Sequence, residues 1–141
     1  MNIPDLRDRV CERLANRLPD VKVSASYNPV LMLDPDQCAV VVQPVSLVVA
    51  FADRTKRECE PRLSVTVSML LGGDRDAVAD AVLVMVERIV AELHGASFGG
   101  FVCRTCEVAD PILSETVLAE RNAATAQLVL TFYGQQERKR D

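Results

Sequence analysis

The sequence is poor in the side chains on which base stacking and most acid–base catalysis depend. Among 141 residues there are no Trp, two Tyr and one His, and aromatic residues make up 4% of the chain. Proteins that bind single-stranded nucleic acid stack bases on several aromatic rings, and His is the most frequent general acid or base. The scarcity of both residue types argues against these two functions.

Positive charge is also scarce. The chain has 16 basic and 20 acidic residues and a net charge of −4, whereas a dedicated nucleic-acid-binding domain usually has a basic footprint. No apolar run approaches the roughly 20 residues of a membrane-spanning helix. The N-terminal residues lack the basic and apolar regions of a signal peptide. We therefore expect a chain that folds in the cytoplasm and contacts no membrane.

The chain has five cysteines, an odd number that predicts reduced thiols rather than a disulfide framework. Cys103 and Cys106 form a Cys-x-x-Cys motif, which occurs in redox pairs and in halves of zinc sites. The motif lies in a predicted strand, where residues three apart point to opposite faces. A zinc site needs four ligands, and Cys38, Cys59 and His94 are scattered singly. Structural thiols are the first interpretation, with a metal site and a redox pair as alternatives.

No other pattern indicates an active site or a bound cofactor. Gly-x-Ser-x-Gly is absent, and neither glycine pair, at 72–73 or 99–100, is followed by the Lys-Ser/Thr of a phosphate loop. His94 is expected to complement the dipole at a helix end. The Asp pairs at 34/36 and 74/76 are explained by turns and helix caps. The sequence thus predicts no enzyme, no cofactor and no metal site.

Two segments, residues 3–18 and 75–94, have the period of an amphipathic helix. Asn2 and Asp74 stand where N-caps belong. The first apolar stripe consists of Leu6, Val10, Leu14 and Leu18. The second consists of Val78, Val82, Met85, Val86, Ile89, Val90 and Leu93. A one-faced stripe of this kind must pack against another element.

Alternation of apolar and polar residues predicts the strands, at 40–42, 45–51, 62–71, 101–108 and 124–133. The first of them stops near Pro44. The second is expected to bury one face, formed by Val45, Leu47, Val49 and Phe51. Residues 21–37 are expected to be irregular, and Asp110-Pro111 is expected to be a turn.

The order of these segments predicts an α+β domain. We expect an antiparallel β-sheet with the N-terminal helix and the central helix packed on one face. The strands at 45–51 and 62–71 are expected to form a long hairpin arm with a solvated tip at 53–61. The domain is predicted to span residues 1–134 and to be followed by a frayed polar tail over 135–141.

The charged tip of the hairpin is the candidate interaction site. Its charged residues are Arg54, Lys56, Arg57, Glu58 and Glu60. Acidic residues flank the basic ones, so a solvated tip without a partner is one interpretation. Exposed loops carry function more often than core strands do, so contact with an acidic partner protein or with passing DNA is the other.

Behind the N-terminal helix, six short motifs follow one another along nearly the full length of the chain. They are Tyr27-Asn28-Pro29, Val40-Val41-Val42-Gln43-Pro44, Leu63-Ser64-Val65-Thr66-Val67, Val84-x-Val86-Glu87-x-Ile89-Val90-x-x-Leu93, Ala109-Asp110-Pro111-Ile112 and Gln127-Leu128-Val129-Leu130-Thr131-Phe132-Tyr133. In their order and spacing the chain resembles the tail-terminator and minor tail proteins of long-tailed bacteriophages. The cysteine pairs and the Val-rich helix depart from that pattern.

The resemblance implies a structural protein without catalytic residues. Such proteins assemble as rings, typically hexameric, at the head-proximal end of the tail tube, where they end tube growth and join the tail to the head connector. The implied partners are other copies of the chain, the tail tube protein and head–tail connector proteins, with DNA passing through the lumen unread. The implied location is the virion, after assembly in the host cytoplasm. The tip at 53–61 is then expected to contact a neighbouring subunit or the tube through charge pairing.

Other classes of protein stay open as alternatives. A non-viral protein-binding adaptor would use the same exposed sheet edge, and a small zinc or thiol protein would use Cys103 and Cys106. Within the phage class, the terminator, neck and other minor tail roles use similar small folds, and a fold does not fix a function.

Overall fold

Two helices and a curled six-stranded sheet form the part of the chain that the computed structural model describes, which is residues 2–18, 20–25, 37–51, 56–70, 74–114 and 123–137. The elements are α1 (Ile3–Arg17), β1 (Val21–Ala25), β2 (Cys38–Phe51), β3 (Lys56–Leu70), α2 (Arg75–Leu93), β4 (Ser97–Phe98), β5 (Phe101–Leu113) and β6 (Ala123–Glu137). The strand order is β1-β2-β3-β6-β5-β4. Only β1 and β2 are parallel, and the other neighbours are antiparallel. The predicted α+β class is confirmed.

Both predicted helices are confirmed to within one residue at each end. At the start of α1, Asn2 Oδ1 accepts a hydrogen bond from the Asp5 N–H at 2.9 Å, and Asp5 Oδ2 accepts one from the Asn2 N–H at 3.3 Å. At α2, Asp74 Oδ1 accepts from the Ala77 N–H at 3.0 Å. These side chains bind N–H groups that the helix geometry leaves without a partner, and they fix where each helix begins.

The apolar stripes of both helices belong to one core cluster with alternate residues of the central strands. The helices contribute Leu6, Val10 and Leu14 from α1 and Val82, Val86, Ile89 and Leu93 from α2. The paired strands contribute Leu63, Val65 and Val67 from β3 and, opposite them, Leu130, Leu128 and Ala126 from β6. Each fully buried Leu or Val stabilises the fold by about 1.5–3 kcal/mol relative to an exposed one.

Polar side chains on the opposite face of β3 are buried but paired. Ser64 and Ser68 are both almost inaccessible. Ser64 Oγ accepts a hydrogen bond from Gln127 Nε2 on β6 at 3.0 Å, and Ser68 Oγ lies 3.0 Å from Thr125 Oγ1. Because burying an unpaired hydroxyl is costly, these bonds favour the observed register of β3 and β6.

The prediction of an irregular segment at 21–37 is wrong at its start, where β1 forms and pairs in parallel with Cys38–Val42 of β2. Residues 26–36 lie outside the described part. Only Val21 and Val23 on β1 are even half-buried. Two alternating apolar residues are too short a pattern to distinguish a strand from a loop. The two-residue strand β4, which the sequence does not predict, pairs with Phe101 and Val102.

The prediction of two separate strands around Pro44 is wrong, because β2 runs through it without a break. Pro44 lies opposite Leu63, and the register with β3 shifts between Pro44 and Ser46. Val45 is therefore the extra residue of a β-bulge. β1 pairs with β2 only as far as Val42, and proline is tolerated where a strand lies at a sheet edge.

The solvated tip predicted at 53–61 is mostly strand. β3 begins at Lys56 rather than Arg62, and its first residues pair with β2 on one side and with β6 on the other. Cys59 and Pro61 within it are buried. The charged residues therefore alternate along a strand that has a neighbour on each side, and residues 52–55 lie outside the described part.

The last two strands are longer than predicted. β5 continues through Asp110-Pro111, although residues 109–112 bulge opposite the single residue Gln127. β6 extends to Glu137, three residues into the segment predicted as a tail. The remaining tail residues, 138–141, lie outside the described part.

Candidate functional site

The five candidate interface residues do not form one charged cluster. Arg54 lies outside the described residues, and Lys56, Arg57, Glu58 and Glu60 lie on β3. Successive side chains on a strand point to opposite faces, so Arg57 is separated from the other three. Lys56 and Arg57 are exposed, whereas Glu58 and Glu60 are half-buried. The structure thus presents two exposed cations at one end of β3.

Glu58 is engaged within the sheet. It forms a hydrogen bond with the Tyr133 side chain on β6, and this bond is the main cause of the raised pKa of Tyr133, since the phenol donates its proton to the carboxylate. The Arg104 guanidinium on β5 lies 3.8 Å from the centre of the Tyr133 ring, which is a cation–π contact. One phenol therefore links side chains of three neighbouring strands.

The outer half of β2 exposes four large apolar side chains, which we call the apolar strip. Val45, Leu47, Val48 and Val49 are 55%, 49%, 50% and 48% exposed. The prediction that this segment buries one face is therefore wrong for Val45, Leu47 and Val49. The Phe51 side chain lies outside the described part. Large apolar patches on a protein surface commonly mark a site of interaction.

The strip borders the core to which the helices contribute, because Val49 lies opposite the buried core residue Cys59. Among the described residues, that core takes Val40 and Val42 from β2 and none of the strip. The Val45 bulge moves the register by one residue, so Leu47 returns to the face of Val42 and lies opposite Pro61. Val48, opposite Glu60, points to the other face. The strip is therefore apolar on both faces of the sheet.

The sheet has two edges that are partly open. Within the described ranges, residues 45–51 of β2 pair only with β3, because β1 reaches only to Val42. At the opposite edge, β4 pairs with Phe101 and Val102, and the Cys103 backbone is hydrogen-bonded to Gly95 and Ala96. Beyond Cys103, the described part of β5 pairs with β6 alone. Open edges present backbone N–H and C=O groups to which another strand can bind.

The two cysteines of the Cys-x-x-Cys motif lie side by side on β5. Their Sγ atoms are 3.9 Å apart, so the prediction that they point to opposite faces is wrong. The register with β6 shifts between Cys103 and Thr105, which makes Arg104 the extra residue of a second β-bulge. One extra residue brings two side chains that are three positions apart to the same face.

The thiols differ in how readily they lose a proton. The hydrogen bond between the paired sulfurs lowers the pKa of Cys106 and raises that of Cys103, because an S–H of Cys103 that donates to Cys106 stabilises the Cys106 thiolate. Burial raises the pKa of Cys38 to about 11. Burial and, to a smaller extent, the nearby Asp8 carboxylate raise the pKa of Cys11 to about 11.

Arginines recur at every fourth residue along one side of α1, a spacing that is visible in the sequence. No site was predicted there. Arg9, Arg13 and Arg17 line an open depression of about 310 Å³ together with Phe98 of β4. Glu92 on α2 lies 3.9 Å from both Arg13 and Arg17. The two arginines therefore link the helices, with an energy of the order of 0–1 kcal/mol for each exposed pair.

The other candidate positions have structural roles or lie outside the described part. His94 is exposed at the C-cap of α2, and its backbone N–H donates to the Val90 carbonyl oxygen at 2.9 Å. The Asp pair at 34/36 lies outside the described residues. No group of three or more His, Cys, Asp or Glu in the described ranges is placed to hold a metal ion. Neither of the helices described here is long and apolar enough to cross a membrane.

Comparison with protein-family models finds no match to the sequence, and a search of curated proteins finds none either. The features of this chain that bear most directly on its function are the apolar strip and the paired cysteines.

Proposed function

We propose that the chain is a structural virion protein of a long-tailed bacteriophage that forms a ring at the head-proximal end of the tail tube. The ring consists of copies of this chain, six in the family that the sequence resembles. It ends tube growth and joins the tail to the head connector. The observation that supports this proposal most directly is the apolar strip on an open edge of the sheet.

We also propose how the helices and the outer strands are arranged in the subunit. Both helices cover one face of the sheet, and the outer halves of β2 and β3 extend past them as a hairpin arm. On β2 the core cluster supports this arrangement, because it contains residues of both helices and the inner part of β2 but none of the strip in the described range; on β3 the cluster reaches outward as far as Cys59. An arm of this kind places apolar surface where a neighbouring subunit can bury it.

A second copy of the chain is the partner that we propose for the strip. A ring closes when one surface of each subunit fits a different surface of the next. Residues 45–51 carry no charge, whereas the β5 edge carries Arg104, Glu107 and Asp110 beside the exposed Ile112. Pairing of the β2 edge with the β5 edge of the next copy joins the open backbone groups and buries the strip.

The other partners in the proposal follow from the ring. The tail tube protein and the connector proteins contact its two ends, and DNA passes through its lumen. A chain with a net charge of −4 has little attraction for the phosphate backbone, which suits passage without sequence recognition. The exposed cations Lys56 and Arg57 stand at the end of the arm and would contact a neighbouring subunit or the tube.

Val48→Lys tests the interface. The new ammonium lies opposite Glu60 in the register of β2 and β3, so the monomer tolerates it. At an interface between edges, the same lysine must lose its water, which is costly for a charged group, and lysine is a residue by which natural edge strands prevent pairing. We expect association to weaken by about tenfold or more, which corresponds to about 1.4 kcal/mol. The measurement is sedimentation velocity over a concentration series.

Val84→Lys is the matched control. Val84 is 54% exposed on α2, close to the exposure of Val48, but it lies outside the strip. This variant is expected to assemble like the wild type. If Val48→Lys assembles as well as Val84→Lys, the strip is not the interface and the proposal loses its main support.

A non-viral adaptor is the second candidate function, because the same open edge of β2 can pair with an extended peptide. An adaptor is expected to be monomeric at all concentrations and to be saturated by one peptide per chain. A ring protein is expected to bind further copies of itself first. The sedimentation series separates the two functions, since only the ring protein gains mass as its own concentration rises.

A further inference from the structure

The β-bulge at Arg104 brings together two thiols whose surroundings differ. Cys103 is fully buried, and its backbone is hydrogen-bonded to Gly95 and Ala96. Cys106 is half-buried on the same strand, whose outer edge is open in the described part beyond Cys103. Their sulfurs are 3.9 Å apart, and a disulfide bond is about 2.05 Å long. Rotation of two side chains within a bulge, where the ladder is already interrupted, can close the remaining distance of roughly 2 Å.

We propose that Cys103 and Cys106 are a redox-active dithiol that forms a reversible disulfide across this bulge, with a small-molecule disulfide such as glutathione disulfide as the oxidant. Cys106 is the attacking thiol because a dissolved oxidant can reach it. Cys103 is the resolving thiol because it is shielded from the solvent but in contact with Cys106. This activity goes beyond the proposed structural function and does not depend on it.

The reaction takes place in two exchange steps. The Cys106 thiolate attacks one sulfur of glutathione disulfide, so that a mixed disulfide forms and one glutathione thiolate leaves. Cys103 then gives its proton to the solvent and attacks Cys106 Sγ, which breaks the mixed disulfide and releases the second glutathione thiolate. The two protein thiols lose two electrons, glutathione disulfide gains them, and the leaving thiolates take up the two protons.

The hydrogen bond between the sulfurs fits this division of roles. Cys103 has one S–H and two acceptors near it, the Thr105 carbonyl oxygen at 3.7 Å and Cys106 Sγ. When Cys106 ionises, donation to its sulfur is the stronger bond, because hydrogen bonds to a charged acceptor are stronger. The buried thiol thus stabilises the nucleophile and keeps its own proton until the second step.

The experiment treats the reduced full-length chain with glutathione disulfide, blocks remaining thiols with N-ethylmaleimide and maps the peptides by mass spectrometry. The wild type is expected to lose the mass of two hydrogens and to take up three labels on its five cysteines. A disulfide between Cys103 and Cys106 should account for the two missing labels. Dithiothreitol should restore all five labels. Five labels after oxidation, or a disulfide between other cysteines, would overturn the proposal.

Single variants separate the two roles. Cys103→Ser is expected to accumulate one glutathione on Cys106, because nothing resolves the mixed disulfide. Cys106→Ser is expected to carry no glutathione on Cys103, because that thiol is buried. Cys38→Ser is the matched control, and it should still form the disulfide. Glutathione on Cys103 in the Cys106→Ser variant would reverse the assignment. The wild-type peptide map remains decisive if a variant fails to fold.

Discussion

Gly134 on β6 is a position at which the neighbouring atoms leave no room for a side chain. A Cβ added there would meet the Gly100 carbonyl oxygen and would lie 2.6 Å from Phe101 Cδ1, closer than real side chains approach. Phe101 is buried and cannot swing away. We expect Gly134→Ala to lower the free energy of unfolding by about 1–3 kcal/mol, the usual cost of overpacking. Urea unfolding measures it, with Gly100→Ala as the control, whose Cβ meets only the Gln135 carbonyl oxygen at 3.9 Å. Equal stabilities would contradict the packing argument.

The thiols provide a second prediction for single residues. The thiolate is the form that alkylates, and a pKa of about 11 instead of 9.0 leaves roughly a hundredfold less thiolate at pH 8. We expect iodoacetamide to label Cys106 well before Cys11 and Cys38. Labelling of the latter two should rise about tenfold per pH unit until the pH nears 11. Timed quenching and peptide mass spectrometry measure these rates, and equal rates for the three thiols would contradict the assignment.

Among the elements, α2 allows the clearest comparison of buried and exposed positions. Val86 is 5% exposed and belongs to the core, whereas Val84 on the same helix is 54% exposed. Val86→Asp buries an unpaired carboxylate, and we expect a loss of about 3–5 kcal/mol that unfolds a domain of ordinary stability. Val84→Asp changes the helix propensity of α2 by the same amount, but its carboxylate is exposed to water, so this variant should stay folded. Far-ultraviolet circular dichroism during heating tests the pair, and similar melting curves would show that α2 does not pack as described.

Helices whose apolar pattern repeats over several turns and whose N-caps are clear could be predicted from the sequence. Strands interrupted by β-bulges could not. The stripes of α1 and α2 extend over several turns, and Asn2 and Asp74 mark their starts. In β2, the inward positions change from even to odd numbers at the Val45 bulge, so a single alternating pattern does not describe the strand. A bulge depends on the register with the neighbouring strand, which a single sequence does not contain.

At the scale of the whole molecule, the candidate sites also depend on contacts between strands that a single sequence does not contain. The side-by-side cysteines depend on the Arg104 bulge, and Leu47 and Val49 are about half exposed although the register places them on the face of the buried Val42. The alternating pattern predicts that Leu47 and Val49 share one face of the strand, and the register confirms this. Burial also requires another element to cover that face, and alternation alone does not show whether one does. The charged residues at 53–61 did not predict an exposed tip correctly, because Glu58 is hydrogen-bonded to Tyr133 within the sheet.

The proposed ring makes the mass of the assembled particle the most direct test. Light scattering after size exclusion is the measurement, made on the wild-type chain over a range of loading concentrations. We predict a species with an integral number of chains of 15.5 kDa, six if the ring is hexameric, whose share grows with concentration. A mass of one chain at every concentration would contradict the proposal that the apolar strip joins copies of this protein.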